Sequence, residues 1–252
     1  MPEFSDRVIV VTGAGSGIGR EVSRQLLSKG AGVIALDLNA DGLDTLAGQS
    51  DGRLVATVCD ITDEISVTEA LDRGLGALGK IDGLVNAAGV VVSGPFLGFT
   101  REVWDLVARV NMWGSYLMIK LVAPHITAAG AGSIVNFSSS GGKLPNPFTA
   151  PYAASKAAIV SLTRSAALAL APTIRVNSVV PGIIDTPMWG QLDREFREND
   201  IPVSFAARAA TAPLGRPGQP ADVAAAVLFL LGDDARYITG EDLNVTGGQV
   251  MY

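Results

Sequence analysis

Two tyrosine–lysine pairs of identical spacing are candidates for proton chemistry: Tyr152 with Lys156, and Tyr116 with Lys120. Four residues apart on a helix, the side chains of each pair share one face, one turn apart. An ammonium beside a phenol favours the phenolate and lowers the tyrosine pKa. A free phenol titrates near ~10, so half-ionisation near neutrality takes about 4 kcal/mol of such stabilisation. A tyrosine tuned this way moves a proton on and off an alcohol. The spacing does not choose between the pairs, so the elements around them must.

Tyr116–Lys120 falls inside an apolar helical stretch, 110–122, with no serine-bearing strand end just upstream. That setting predicts an amphipathic side chain with its tip at the surface. Tyr152–Lys156 follows a predicted strand, 133–138, and its polar end Ser138-Ser139-Ser140-Gly141-Gly142. In parallel sheets, ligands bind beyond the carboxyl ends of the strands. Those serines therefore face a crevice to which Tyr152, heading the next helix, returns. The residues alone leave Ser138, Ser139 and Ser140 equivalent.

The same crevice receives the loop Thr12-Gly13-Ala14-Gly15-Ser16-Gly17-Ile18-Gly19, between a first strand (7–12) and a first helix (17–29). Gly13, Gly17 and Gly19 allow a tight turn and close approach to a pyrophosphate. Ser16, Gly17 and Ile18 stand at a helix N-terminus, where free N–H groups bind anions. Asp37 ends the second strand, eighteen residues beyond Gly19, where an acid binds the adenosine ribose hydroxyls. A carboxylate there repels a 2′-phosphate, and neither Ser16 nor Leu38 supplies a compensating cation. The expected cofactor is NAD rather than NADP. Asp60, with Ile61 beside it, is placed to hold the adenine; Asp60 reads equally as a helix cap before Glu64.

Seven β-branched runs, at 7–12, 32–37, 54–59, 81–86, 133–138, 174–180 and 242–245, alternate with helical patterns. The helices are expected at 17–29, 65–78, 101–123, 152–171 and 220–231. This order predicts a doubly wound α/β domain spanning 1–252, with a seven-stranded, mostly parallel sheet and helices on both faces. The stretch 183–218, rich in proline, reads as a long irregular substrate loop or lid.

The composition suits tight turns and close backbone packing. The 252 residues are 48% hydrophobic, with 29 glycines and a net charge of −6. No basic run suggests a nucleic-acid surface. One cysteine, Cys59, and one histidine, His125, exclude a disulfide within the chain and a Cys- or His-rich metal site; both read as structural. The apolar run 8–11 is too short for a signal sequence, and no stretch of eighteen apolar residues exists to span a membrane. A cytoplasmic protein without nucleic-acid or membrane partners is expected.

Taken in order, the glycine loop, Asn86-Ala87-Ala88-Gly89, Asn111, Ser139, Tyr152-Ala-Ala-Ser-Lys156 and Pro181-Gly182 resemble the short-chain dehydrogenase/reductase family over essentially the whole chain. The resemblance implies a Rossmann-type fold. It places the catalytic serine thirteen residues before the tyrosine, which selects Ser139. It implies a catalytic set of Asn111, Ser139, Tyr152 and Lys156, with Asn111 holding a water in a proton relay. Asn86, Ala87, Ala88 and Gly89 would steady the sheet and pass close to the cofactor, and Lys156 would also hold its ribose. Pro181, Gly182, Ile184 and Thr186 would lie at the nicotinamide. The implied reaction is reversible hydride transfer between a secondary alcohol and NAD, with Tyr152 as general base or acid.

Substrate residues are expected at Ser139, Asn146, Tyr152, Met188 and Trp189, with Gln191 also able to address hydroxyls. The segment after Thr186 is similar to those of acetoin, butanediol and sugar-alcohol dehydrogenases. It points to a small diol, polyol or hydroxyketone, with a 3-oxoacyl thioester or a steroid as alternatives. A non-catalytic nucleotide-binding scaffold would lack the tyrosine or the lysine, and both are present. The resemblance also implies a homotetramer, with the Asn111 and Tyr152 helices at one interface and residues 247–252 at another.

Overall fold

The computed structural model describes residues 4–48 and 52–252. Seven strands form one sheet in the order β3-β2-β1-β4-β5-β6-β7. They are β1 (Val8–Thr12), β2 (Gly32–Asp37), β3 (Leu54–Val58), β4 (Gly83–Asn86), β5 (Gly132–Phe137), β6 (Ile174–Pro181) and β7 (Asp242–Val245). All six pairings are parallel, so the sheet is wholly rather than mostly parallel. The strand order reverses between β1 and β4, the point where open α/β sheets bind ligands.

The sheet is covered on both faces, which is why its central strands are nearly all apolar. The period of two along each strand sorts the core. Ile9, Val11, Val33, Val85, Val135 and Val179 face α1 (Gly17–Ser28), α2 (Ala40–Ala47) and α9 (Pro220–Leu231). Val10, Ile34, Leu84, Ile134 and Val176 face α3 (Glu64–Leu78), α5 (Ser115–Ala128) and α6 (Ala150–Leu170).

Three features depart from the sequence expectation. The short helix α2 was not anticipated; Asn39 caps it by accepting the Gly42 N–H at 3.2 Å. The helix expected at 101–123 runs on to Ala128, and its middle is π-helical. It comprises α4 (Arg101–Val107), a π-helical stretch Ala108–Gly114 around Asn111, and α5. The supposedly irregular 183–218 holds two helices, α7 (Pro187–Glu198) and α8 (Phe205–Ala209). Pro187 opens α7 at a position whose N–H has no helical partner anyway. Leu192 and Phe196, one turn apart, then bury an apolar face against Val91 and Ile201. A proline that reads as a breaker in the sequence here starts a helix.

Candidate active site

The carboxyl ends of the strands open on one cleft with two arms. The first follows the glycine turn after β1. Gly13 has φ +68°, and a Cβ there would lie 2.8 Å from the Ala88 nitrogen, so only glycine fits. The N-cap of α1, Ser16, makes no side-chain cap bond, and the first turn carries no acid. Gly17, Ile18 and Gly19 line the arm, leaving the helix N-terminus for an anion. These features fit a dinucleotide phosphate.

Asp37, Leu38, Asp60, Ile61, Ala87, Ala88 and Gly89 line the same arm, together with Cys59 and Val110. The Asp37 carboxylate accepts the Gly15 and Asn39 N–H groups, each at 2.8 Å, and so braces the glycine turn. No lysine or arginine lines this arm among the described residues. Asp60 accepts from the Thr62 N–H at 2.9 Å and its hydroxyl at 2.8 Å. The helix-cap alternative for Asp60 fails, because Asp63 caps α3 instead. Asn86 lines neither arm. It lies within the sheet, donating to Asn136 Oδ1 at 2.9 Å and to the Ser115 carbonyl at 3.2 Å. Its side chain is aimed away from the cleft, and the neighbouring Ala87, Ala88 and Gly89 make the approach.

The second arm is a chamber lined by Ser139, Asn146, Tyr152, Pro181, Gly182, Ile184, Met188 and Trp189. Val91, Leu192, Phe196, Val203 and Arg208 line it too, as do Phe137, Thr149 and Ile183, and the sequence reading missed these eight. They come from separate elements, so no local pattern announces them. Ile18, Ala87, Gly89, Phe137, Thr186 and Met188 line both arms and mark their junction. Gln191 lines neither; it donates to Glu195 at 2.6 Å and to the Val91 carbonyl at 3.3 Å. Glu195 in turn accepts the Ser93 N–H and hydroxyl, each at 2.8 Å, which ties α7 down over the chamber.

Tyr152, Lys156 and Ser139 meet near this junction. Lys156 Nζ donates to the Phe137 carbonyl at 2.8 Å and lies 5.6 Å from the Tyr152 ring centroid. Ser138 Oγ donates to the Lys156 carbonyl at 2.8 Å, so the end of β5 is stitched to α6. Ser138 is thereby committed, whereas Ser139 is hydrogen-bonded to Tyr152 and accepts the Gly141 N–H at 3.1 Å. A Cβ on Gly89 would lie 3.2 Å from Asn111 Oδ1 and 3.4 Å from Lys156 Nζ, so these groups converge on one point.

Asn111 is completely buried in the π-helical stretch. Its Oδ1 accepts the Val90 N–H at 2.8 Å; its Nδ2 donates to the Val90 carbonyl and to Ser155 Oγ, each at 2.9 Å. Ser155 passes the connection on to the Tyr152 carbonyl at 2.7 Å. A π-helical turn at a functional site is a recurrent device for re-aiming a side chain. Ser155 was legible in principle: three residues after Tyr152 on a helix, it faces back onto that turn.

Burial dominates the electrostatics of the pair. Burial pushes the Tyr152 phenol above its ordinary pKa, and only the hydrogen bond with Ser139 pulls it down. Burial likewise brings the Lys156 pKa down to about 8. The tyrosine is a partly buried acid beside a buried amine whose hold on its proton is weakened.

Residues 13–249 match the family model described as enoyl-(acyl carrier protein) reductase. A cis-4-hydroxycyclohexanecarboxylate dehydrogenase from Sinomonas cyclohexanicum is 38% identical, covering 97% of each chain. An NAD-dependent glycerol dehydrogenase from Listeria innocua is 36% identical over 98% of this chain and 95% of its own. The crystal structure of a 3-ketoacyl-(acyl-carrier-protein) reductase from Brucella melitensis complexed with NADH matches with a TM-score of 0.89 at 33% identity, covering 97% and 98% of the two chains. The fold and these relatives define an oxidoreductase with a Rossmann-type fold. The chain belongs to the short-chain dehydrogenase/reductase family.

Proposed function

We propose that the protein is an NAD-dependent oxidoreductase interconverting a small secondary alcohol and its ketone. The observation that carries this reading is the meeting of Ser139, Tyr152 and Lys156 where the glycine-turn arm joins the chamber. When bound, NAD supplies the hydride acceptor, held by the α1 N-terminus, Asp37, and Ala87 to Gly89. Tyr152 takes the carbinol proton during oxidation and returns it during reduction. Ser139 donates to the substrate oxygen and stabilises charge developing there. Lys156 passes protons to and from the tyrosine, and Asn111 with Ser155 fixes the turn that carries it. Asp37, without a cation near it, favours NAD over NADP.

A hydrocarbon-bodied diol or hydroxyketone suits the apolar wall of Val91, Leu192 and Phe196 better than a polyhydroxylated chain. The relative crystallised with NADH favours a second reading, a 3-oxoacyl thioester reductase, since preference for NAD does not argue against it. NADH formation against a panel of diols, polyols, hydroxy acids, hydroxyacyl thioesters and steroids tests both readings; no turnover on any of them contradicts the proposal. Running the panel with NADP tests the role of Asp37, and faster turnover with NADP contradicts it.

The same reading includes a homotetramer. An apolar groove between the Asn111 helix and α6, lined by Met112, Trp113, Tyr116 and Leu162, supports self-association there. Sedimentation is expected to show a tetramer; a monomer at micromolar concentration contradicts it.

A further inference from the structure

Arg208 lines the substrate chamber, and the proposed chemistry gives it no task. The chain carries a net charge of −6, yet no aspartate or glutamate lines this chamber among the described residues. Its two charged side chains are Lys156, already engaged with the Phe137 carbonyl, and Arg208. The Arg208 guanidinium has no carboxylate or carbonyl partner among the described residues.

The backbone beneath that guanidinium is held firmly. The Arg208 carbonyl accepts from Thr211 Oγ1 at 2.7 Å and from Gln249 Nε2 at 3.2 Å. Gln249 also donates to Thr211 Oγ1 at 2.7 Å, and its Oε1 lies 2.8 Å from where a Gly182 Cβ would stand. The turn that presents Arg208 is thus tied to Gln249, which packs against Gly182 at the end of β6. On the same chamber wall, Asn146 spends its Oδ1 on the Phe148 N–H at 3.0 Å, which leaves its amide N–H₂ to donate. Arg208 and Asn146 Nδ2 are uncommitted groups that can only donate; the Ser140 and Thr149 hydroxyls also line the chamber. Arg208 is solvent-exposed, and a chamber that presents a free guanidinium is complementary to an acceptor that carries charge.

We infer that the substrate is a secondary hydroxy acid, or the keto acid in reduction, whose carboxylate sits on Arg208 while its carbinol sits at Ser139 and Tyr152. This inference rests on the proposed function for the position of the carbinol. The planar guanidinium fork matches a carboxylate in two parallel hydrogen bonds, and the apolar body of the acid lies along Val91 and Phe196.

Calorimetric titration of the enzyme–NADH complex tests the inference without turnover, using 4-hydroxycyclohexanecarboxylate, its methyl ester and 3-hydroxybutanoyl-CoA. The acid is expected to bind about tenfold or more tightly than the ester at low salt, as one charge-assisted contact allows. Arg208→Leu should abolish that preference and leave ester binding unchanged, while Arg208→Lys keeps part of it. Raised salt should weaken the acid alone. Acid and ester binding alike in the wild type, or falling together in Arg208→Leu, would overturn the inference. Loss of affinity for the CoA thioester alone in Arg208→Leu would also overturn it, because the arginine would then read a carrier phosphate. Acid binding that depends on Arg208, without any NAD-linked oxidation, would uphold the inference and sink the proposed function instead.

Discussion

Tyr116–Lys120 and Tyr152–Lys156 share a spacing and a helical setting, and differ in everything that decides chemistry. Tyr116 is 46% exposed and packs its ring 5.8 Å from that of Trp113. Lys120 reaches out to Glu64 at 2.8 Å, and that hydrogen bond holds its pKa above the ordinary value. Lys156 is 5% exposed and finds a backbone carbonyl instead of a carboxylate, so burial brings its pKa down to about 8. A lysine neutralised by a carboxylate in water is inert. A lysine deprived of water and given no counter-charge holds its proton loosely. The motif supplies the groups, and the partner and the solvent decide whether they can exchange protons near neutral pH.

Lys156→Met should separate the pairs most widely. Turnover is expected to collapse, and stability should show a distinctive pH dependence. The unfolded chain keeps the Lys156 proton up to about 10.5, whereas the folded chain releases it near 8. Between these values the unfolded state binds more protons, so the wild type gains stability relative to the variant as pH rises. The gain should reach about 3 kcal/mol across that window, measured as the difference between denaturant unfolding curves. A difference that stays flat with pH would contradict the buried, low-pKa lysine.

Ser155→Ala probes the scaffold that only the second pair possesses. It removes the bond to the Tyr152 carbonyl and leaves an Asn111 N–H unpaired in the core. A loss of about 1–3 kcal/mol in unfolding free energy is expected, with a fall in kcat as Tyr152 loses its fixed turn. An unchanged stability would mean that Asn111 finds another partner. The smallest effect belongs to the exposed pair: Lys120→Met should leave both melting temperature and turnover at wild-type values, as exposed ion pairs contribute little. A clear loss in thermal unfolding would show that the two lysines differ less than their surroundings imply.

The glycine-turn arm was far more legible in the sequence than the chamber. Asp37 ends β2, Gly13 to Gly19 lead from β1 into α1, and Ala87 to Gly89 follow β4, so strand periodicity already locates them. Asn86 is the exception, since one residue's change of face along a strand turns a lining position into a core one. The chamber draws Val91 from the loop after β4, Leu192 and Phe196 from α7, and Arg208 from α8. Their convergence depends on how α7 docks, and that rests on Glu195 meeting Ser93 about a hundred residues away, a contact without local signature. The raised pKa of Tyr152 was equally hidden, because burial is a property of the packed molecule and not of the Tyr-x-x-x-Lys text.

The central claim is that Tyr152, and not its twin, carries the proton. Steady-state oxidation of the preferred alcohol by Tyr152→Phe and Tyr116→Phe, with NAD binding measured alongside, tests it most directly. The account predicts that Tyr152→Phe loses roughly 10²–10⁴-fold in kcat while still binding NAD, as removal of a general acid–base does, and that Tyr116→Phe behaves as wild type. Substantial activity in Tyr152→Phe, or an equal loss in Tyr116→Phe, would contradict it.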